Sequence, residues 1–421
     1  MRKKCLSCFL IILLAVQSLL LLSSCAEKPD SNPSVTMYEN PFHTFGREYQ
    51  VYGNYVYWCA NSRIFRYDIN TFERKSACFD PECNEDCILY EVQSISGIRD
   101  GKLFFTTFAT DIERDEYNRP IGSTNRSHYA YQDLHTGEVK VLRTRMDAEI
   151  DDEARGQIIF DDTHIYYYVN LLKKDGDPLD SDDYIRTYCR SPLSGGREEV
   201  LFPIAENSFE GMLTVYDGEL IVTRNDVISA YHLQTGAFRE IFNYENSEFL
   251  MKPHTFMTGK GKLYFLGKVG VLPGTTPAYY DSALVELDLK TGEYRKIIES
   301  KVYGYHVDNE GIYYFRLGEV REIAFPEYGD LKTVCYTEDT MYRCDHDGKN
   351  ETAVFRNPDI NIGSPLFLVA NGSVYARLVC SSTIRYFEMP DGTGEYRATI
   401  AFRKIDLASG KIIDPIIPEE E

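Results

Sequence analysis

The chain has 421 residues, more than one conventional core fills, since single cores stop growing at roughly 250 to 300 residues and longer chains divide or repeat. Its 43% apolar and 26% charged content, with 29 Gly and 17 Pro, excludes collagen-like and wholly disordered classes. A balance of 45 basic against 65 acidic residues, formal charge −20, argues against any sequence-independent grip on nucleic acid or on an anionic bilayer.

At the N-terminus, Arg2, Lys3 and Lys4 precede an apolar stretch from Phe9 to Leu22, which runs into Leu22-Ser23-Ser24-Cys25. A basic start and an apolar run shorter than the ~20 residues of a comfortable membrane span read as an export signal. Its end resembles the lipobox of bacterial lipoproteins, which implies that Cys25 is acylated and becomes the first residue after cleavage. Residues 1–24 are therefore expected to be a lipoprotein signal peptide. Residues 25–44, with Lys28-Pro29-Asp30-Ser31-Asn32-Pro33-Ser34, read as the lipidated cysteine and a flexible tether. The expected location is the extracytoplasmic face of a bacterial membrane, held through lipid whose buried methylenes contribute roughly 0.8 kcal/mol each.

Beyond the tether one pattern recurs seven times. A polar turn precedes a short aromatic strand, as in Gly53-Asn54-Tyr55-Val56-Tyr57, Asp100-Gly101-Lys102-Leu103-Phe104, Lys260-Gly261-Lys262-Leu263-Tyr264 and Asn371-Gly372-Ser373-Val374-Tyr375. A second strand then enters a turn such as Asp133-Leu134-His135-Thr136-Gly137, Asp288-Leu289-Lys290-Thr291-Gly292 or Asp406-Leu407-Ala408-Ser409-Gly410. Glycine and asparagine supply the positive φ of tight hairpins, and the 32 Tyr and 23 Phe suit half-buried pleated surfaces. One strand before each first turn and one after each second turn make four strands per repeat, the unit of a propeller blade. The expected fold is all-β, a seven-bladed β-propeller of four-stranded antiparallel blades over residues 45–417, with an acidic tail at 418–421. Blade signatures such as Tyr342-Arg343-Cys344-Asp345-His346-Asp347-Gly348 resemble the TolB-like and low-density-lipoprotein-receptor-type (YWTD-like) propellers of bacterial lipoproteins. That resemblance implies an architecture and leaves the activity open.

With strands lettered A to D from the centre outward, both short turn families (A–B and C–D) fall on one face. The insertions fall on the other: B–C segments 109–127, 170–184, 268–282, 317–339 and 381–397, and D–A connections such as 78–90 and 144–155. Long connections on a rigid scaffold are where binding usually resides. Blades 2 and 3 crowd Asp147, Glu149, Asp151, Asp152, Glu153, Asp175, Asp177, Asp180, Asp182 and Asp183 there. Their spacing is not that of a calcium loop, so a solvated acidic surface is the favoured reading over Ca²⁺. Blades 5 to 7 carry Tyr279, Tyr280, Phe325, Tyr328, Tyr386, Phe387 and Tyr396, candidates for stacking a sugar or gripping a peptide.

Of 11 cysteines, Cys5, Cys8 and Cys25 belong to the export signal. Cys78, Cys83 and Cys87 form a dense run that does not match a paired CxxC zinc motif, so a disulfide within it or to Cys59 is favoured over Zn²⁺. No nucleophile elbow, phosphate loop or zincin motif occurs. His254 and His306, on innermost strands of blades 5 and 6 with matching parity, are the candidates for a metal-assisted lyase or hydrolase in the central channel. The expected role is binding without chemistry or resident cofactor, directed at a glycan, a peptide or an envelope protein. A channel-based enzyme acting on polysaccharide, and a scaffold for envelope assembly, are the alternatives.

Overall fold

The computed structural model describes residues 49–418, apart from 61, 72, 81–82, 84–86, 115–119, 147–157, 174–175, 177–182, 205–209, 252, 254, 273–278, 325–331, 337–339, 357–359, 363–366, 381–384, 389–393 and 398–399. The lipidation candidate Cys25, the signal and the tether lie outside the described residues. No described helix is long and apolar enough to cross a membrane. Regular structure among the described residues is β-strand with short 3-10 turns.

Seven four-stranded antiparallel blades account for almost all of it, so the chain is a seven-bladed β-propeller. Two blades belong to a compact unit spanning Gly46–Gly156, and five to a second unit spanning Gln157–Glu421. In the first unit, blade 1 runs Tyr49–Tyr52, Tyr55–Ala60, Arg63–Asp68 and Arg74–Ser76, and blade 2 starts at Val92–Arg99 and ends at Val139–Met146. In the second unit the innermost strands of blades 3 to 6 are Ile159–Phe160, Glu210–Tyr216, Phe256–Gly259 and Val302–Val307. Blade 7 divides its innermost strand into Ile360–Ile362 and Leu368–Ala370, both paired with Ser373–Cys380.

The two turn families are physically joined. In six blades the residue after the first C–D turn position donates its N–H to a carbonyl of the A–B turn: Ile69 to Asn54, Leu134 to Gly101, Leu193 to Thr163, Leu233 to Gly218, Leu289 to Gly261 and Leu407 to Gly372, all at 2.8–3.0 Å. Blade 6 replaces that bond with a side chain, His346 Nε2 donating to the Asp308 carbonyl at 2.7 Å. Both short turns therefore share one edge of each blade, and the B–C and D–A connections share the other.

The acidic residue that opens the C–D turn has a mechanical task. Asp288 Oδ1 accepts the N–H groups of Lys290 and Thr291, both at 2.9 Å, and Asp133 Oδ1 accepts those of His135 and Thr136 at 2.9 and 3.0 Å. Blade 4 uses His232 Nδ1 for the same pair of donors, Gln234 and Thr235, at 3.2 Å. The Lys262 ammonium at 2.6 Å, together with those backbone donors, holds the Asp288 carboxyl down at about 2. A depressed folded pKa contributes stability fully present above the unfolded value near 3.9 and lost as pH falls through about 2. Because the pair is partly exposed, we expect Asp288→Asn to cost about 1 kcal/mol at neutral pH. The variant should also flatten the stability change between about pH 4 and pH 2. Urea unfolding of both proteins across that range checks it, and parallel acid losses would refute the assignment.

Blades pack through apolar faces and through arginines on outer strands. Leu263, Phe265, Val285 and Leu287 of blade 5 meet Ile221, Ile228, Ile241 and Phe242 of blade 4. Tyr305 and Tyr314 of blade 6 meet Met257, Tyr264 and Leu284 of blade 5. At the rim, Arg239 of blade 4 grips Glu219 with two nitrogens and donates to the Leu289 carbonyl of blade 5 at 2.7 Å. Arg295 repeats the device one blade on, pairing with Glu286 and donating to the His346 carbonyl at 3.0 Å. Burial, and after it the neighbouring Glu286 carboxylate, push the Tyr264 hydroxyl well above the ordinary tyrosine range.

Candidate functional site

The expected asymmetry between the faces is present, and its form is more ordered than loops. Blades 1 and 4 close their B–C edge tightly, pairing Ala60 with Arg63 and Arg224 with Val227. Blade 2 adds a fifth strand, Ala109–Arg114, along Pro120–Asp133. Blades 6 and 7 insert separate hairpins, Val320–Ala324 with Lys332–Tyr336 and Arg385–Glu388 with Gly394–Arg397. Blades 3 and 5 lengthen strands B and C into ribbons, ending at the pairs Leu172–Tyr184 and Leu272–Tyr279.

The blade 5 ribbon carries the best-defined surface. Lys262–Leu272 is buried on both faces at Leu263, Tyr264 and Phe265 and then leaves the core at a bulge between Lys268 and Gly270. Beyond the bulge Val271 is 57% and its partner Tyr280 is 37% exposed. The D–A connection from blade 4 comes alongside. There a 3-10 turn, Tyr244–Asn246, is capped by Asn243, whose side chain accepts the Glu245 N–H, and Ser247 closes it on the Tyr244 carbonyl. Phe249 then wedges into the core where Gly267 has no side chain; a Cβ at Gly267 would lie 2.4 Å from its ring. The Leu250 N–H donates to the Lys268 carbonyl at 2.7 Å, so Leu250 and Met251, 57% and 38% exposed, stand beside the ribbon.

Lys268 is the centre of this surface. Its ammonium lies 4.2 Å from the centre of the Tyr280 ring and 3.5 Å from the Met251 sulfur. Tyr280 and Met251 thus flank one cation, with exposed Leu250 and Val271 on the adjoining backbone, on a frame fixed by β-pairing and a buried phenylalanine. Leaving such side chains in water costs burial energy at about 25 cal/mol per Å², which a partner covering them would recover.

Other candidate residues fall variously. Tyr279, Tyr386, Phe387 and Tyr396 lie on the inserted ribbon and hairpins, but their side chains are outside the described residues, as are Phe325, Tyr328 and His254. Of the acidic crowd on blades 2 and 3, Asp183 is described, accepting the Lys173 N–H through its carbonyl at 2.8 Å. His306 is fully buried in its strand against Phe367, ring centres 6.2 Å apart. The expected disulfide is not formed: among the described residues Cys59, Cys78, Cys83, Cys87, Cys189 and Cys344 carry no sulfur–sulfur bond. Cys59 donates to the Val92 carbonyl at 3.5 Å, whereas the sulfurs of Cys78, Cys83 and Cys87 all lie within 4.8 Å of one another, so the chain turn brings three thiols together instead of two. Burial pushes the Cys87 thiol up to about 12.

Leu250 and Met251 were not legible as site residues, because apolar side chains on a D–A connection read as packing. The signal that could have found them is their place directly after Phe249, whose burial forces its successors outward.

No protein-family model matches this chain, and no curated protein matches it. Solved structures do resemble it at low identity. An acylaminoacyl peptidase in complex with Z-Gly-Gly-Phe-chloromethyl ketone is 14% identical, covers 85% of this chain and 50% of its own, and has a TM-score of 0.44. The β-propeller domain of the Trilobed protease from Pyrococcus furiosus is 11% identical over 77% of this chain and 95% of its own, with a TM-score of 0.38. Dipeptidyl peptidase 4 from Porphyromonas gingivalis is 8% identical over 87% of this chain and 65% of its own, at 0.39. The chain spans half the length of the acylaminoacyl peptidase it matches.

Proposed function

We propose that this chain is an interaction protein of the bacterial envelope, tethered through lipidated Cys25, whose inserted face takes a partner polypeptide at the blade 5 ribbon. The observation that carries the binding role is the set of exposed apolar side chains Leu250, Met251, Val271 and Tyr280 beside Lys268, two of which, Met251 and Tyr280, touch its ammonium. Its character favours polypeptide over sugar. Three of the four side chains are aliphatic or thioether, and the Lys268 ammonium already occupies a face of the Tyr280 ring that a sugar would stack on. A peptide with apolar side chains beside a carboxylate complements that surface in both shape and charge. The N-terminal lipobox resemblance carries the tether.

The test is a photoreactive residue placed in the full chain at Val271, and separately at Ser194 on the short-turn edge, in cells exporting the protein. A protein adduct of one defined mass is expected from Val271 and not from Ser194. Lys268→Glu should weaken it by about 10-fold, the effect of losing roughly 1.4 kcal/mol. Equal labelling from both positions would overturn the assignment, and Tyr280-dependent capture on a glycan array would replace polypeptide by sugar. Incorporation of a fatty-acid analogue that persists in Cys25→Ala would remove the proposed tether.

A further inference from the structure

The three converging thiols of blade 1 call for a common ligand. Cys78 follows strand D directly, its N–H donated to Ser76 Oγ at 3.1 Å, and the preceding Ala77 is fixed by its own N–H to the Ile64 carbonyl at 3.0 Å. Buried Gln132 of blade 2 donates to the Ala77 carbonyl at 2.7 Å. The chain then turns, Cys83 N–H to Asp80 carbonyl at 3.3 Å, with Phe79 held beneath the Arg66 guanidinium at 4.3 Å. Cys87 opens the 3-10 turn Ile88–Tyr90, which buries Leu89 in the core of this unit. The Ser76 and Tyr90 hydroxyls meet at 3.1 Å and tie the two ends of the segment together. Both outer cysteines are thus positioned by structure independent of any sulfur–sulfur bond.

We propose that Cys78, Cys83 and Cys87 bind one Zn²⁺ through three thiolates, with water in the fourth position. This reading rests on the first unit alone and does not depend on the docking surface. The sulfurs, within 4.8 Å of one another, need to close by only about 1 Å to reach the ~3.8 Å separation that tetrahedral Zn–S bonds of ~2.3 Å require. A disulfide would engage two sulfurs and leave the third facing the bond. Thiolates select a soft or borderline ion over Ca²⁺ or Mg²⁺. Cys78 and Cys87 pack on the apolar cluster of Tyr57, Ile64, Ala77 and Leu89 while staying part-exposed, so an ion has both an entry path and a low-dielectric wall. Binding exchanges three S–H protons for three S–Zn bonds, the protons leaving to solvent. The complex carries one negative charge. The bound sulfurs are then withheld from oxidation, as an extracytoplasmic address requires of cysteines that stay reduced.

The full chain, purified in detergent with metal-free buffers and loaded with ZnCl₂, should retain one equivalent of zinc after dialysis. X-ray absorption at the zinc edge should show a sulfur shell of three at ~2.3 Å and one lighter scatterer. Cys78→Ser, Cys83→Ser and Cys87→Ser should each weaken binding by more than about 100-fold, since loss of outer-shell partners alone costs 10–100-fold, while Cys59→Ser leaves it unchanged. A shell of oxygen or nitrogen alone, or zinc retention unaffected by Cys83→Ser, would overturn the proposal. So would peptide mapping that finds any of the three in a disulfide in chain isolated without reductant. The absorption measurement on the unmutated chain stands even where a variant fails to fold.

Discussion

Gly292→Ala is expected to destabilise the chain by about 2–5 kcal/mol, whereas Gly218→Ala, at almost the same backbone angle, costs about 1–2 kcal/mol. The two glycines have φ of +75° and +76°, so an L side chain pays the same left-handed penalty at either. Their surroundings differ. A Cβ at Gly218 meets nothing within 4 Å, but at Gly292 it would lie 2.5 Å from the Ile241 carbonyl oxygen, in the outer strand of blade 4. Gly348 stands in the same relation to the Ile297 carbonyl of blade 5, again at 2.5 Å. In blades 5 and 6 the C–D turn glycine is therefore also the point where the turn rests on the backbone of the blade before it, and a backbone atom cannot swing aside as a side chain could. Denaturant unfolding of the two variants separates the contributions. Equal losses would mean that the turn angle alone selects glycine there, and that the close approach of the blades relaxes without cost.

That dual role explains how far the sequence could be read. The alternation of Asp or Asn, Gly and aromatic residues locates both turns of every blade, because hairpin geometry is local and the residues that permit it are few. The sequence does not reveal that Gly292 faces Ile241, a contact between residues of successive repeats. The B–C insertions were legible as insertions, yet 320–324 pairs with 332–336 and 385–388 with 394–397, ladders that the residue pattern does not distinguish from irregular connections. The cysteine run was legible as a cluster. Its pairing was not, since four and three intervening residues say nothing about the turn from Asp80 to Cys83 that swings the middle thiol toward the other two. His306 matched His254 in parity, but parity names a side of a strand and not whether that side meets solvent or, as here, Phe367.

The largest packing loss is expected from Phe265→Ala, about 3–5 kcal/mol, against less than about 0.5 kcal/mol for Val200→Ala on an exposed strand. Phe265 is fully buried in strand B of blade 5. Tyr244 and Phe249 approach its ring edge-on at 5.9 and 5.8 Å, Phe256 lies across the strand pair at 6.1 Å, and Phe242 of blade 4 reaches it at 6.2 Å. Removing the ring strips one wall from each of these contacts and leaves a cavity that strands pinned on both sides by hydrogen bonds cannot collapse into. Phe249 is coupled to it, so the double variant Phe249→Ala/Phe265→Ala should cost about 0.5–1.5 kcal/mol less than the two single losses together. The same coupling reaches the surface. Phe249 roots Leu250 and Met251 beside Lys268, so Phe265→Ala, kept folded at low temperature, should also reduce adduct formation from the photoreactive residue at position 271. A destabilisation below about 1 kcal/mol would show that this aromatic cluster does not seal blade 4 to blade 5. A large destabilisation with undiminished adduct would instead show that the ribbon holds the docking surface without help from the core beneath it.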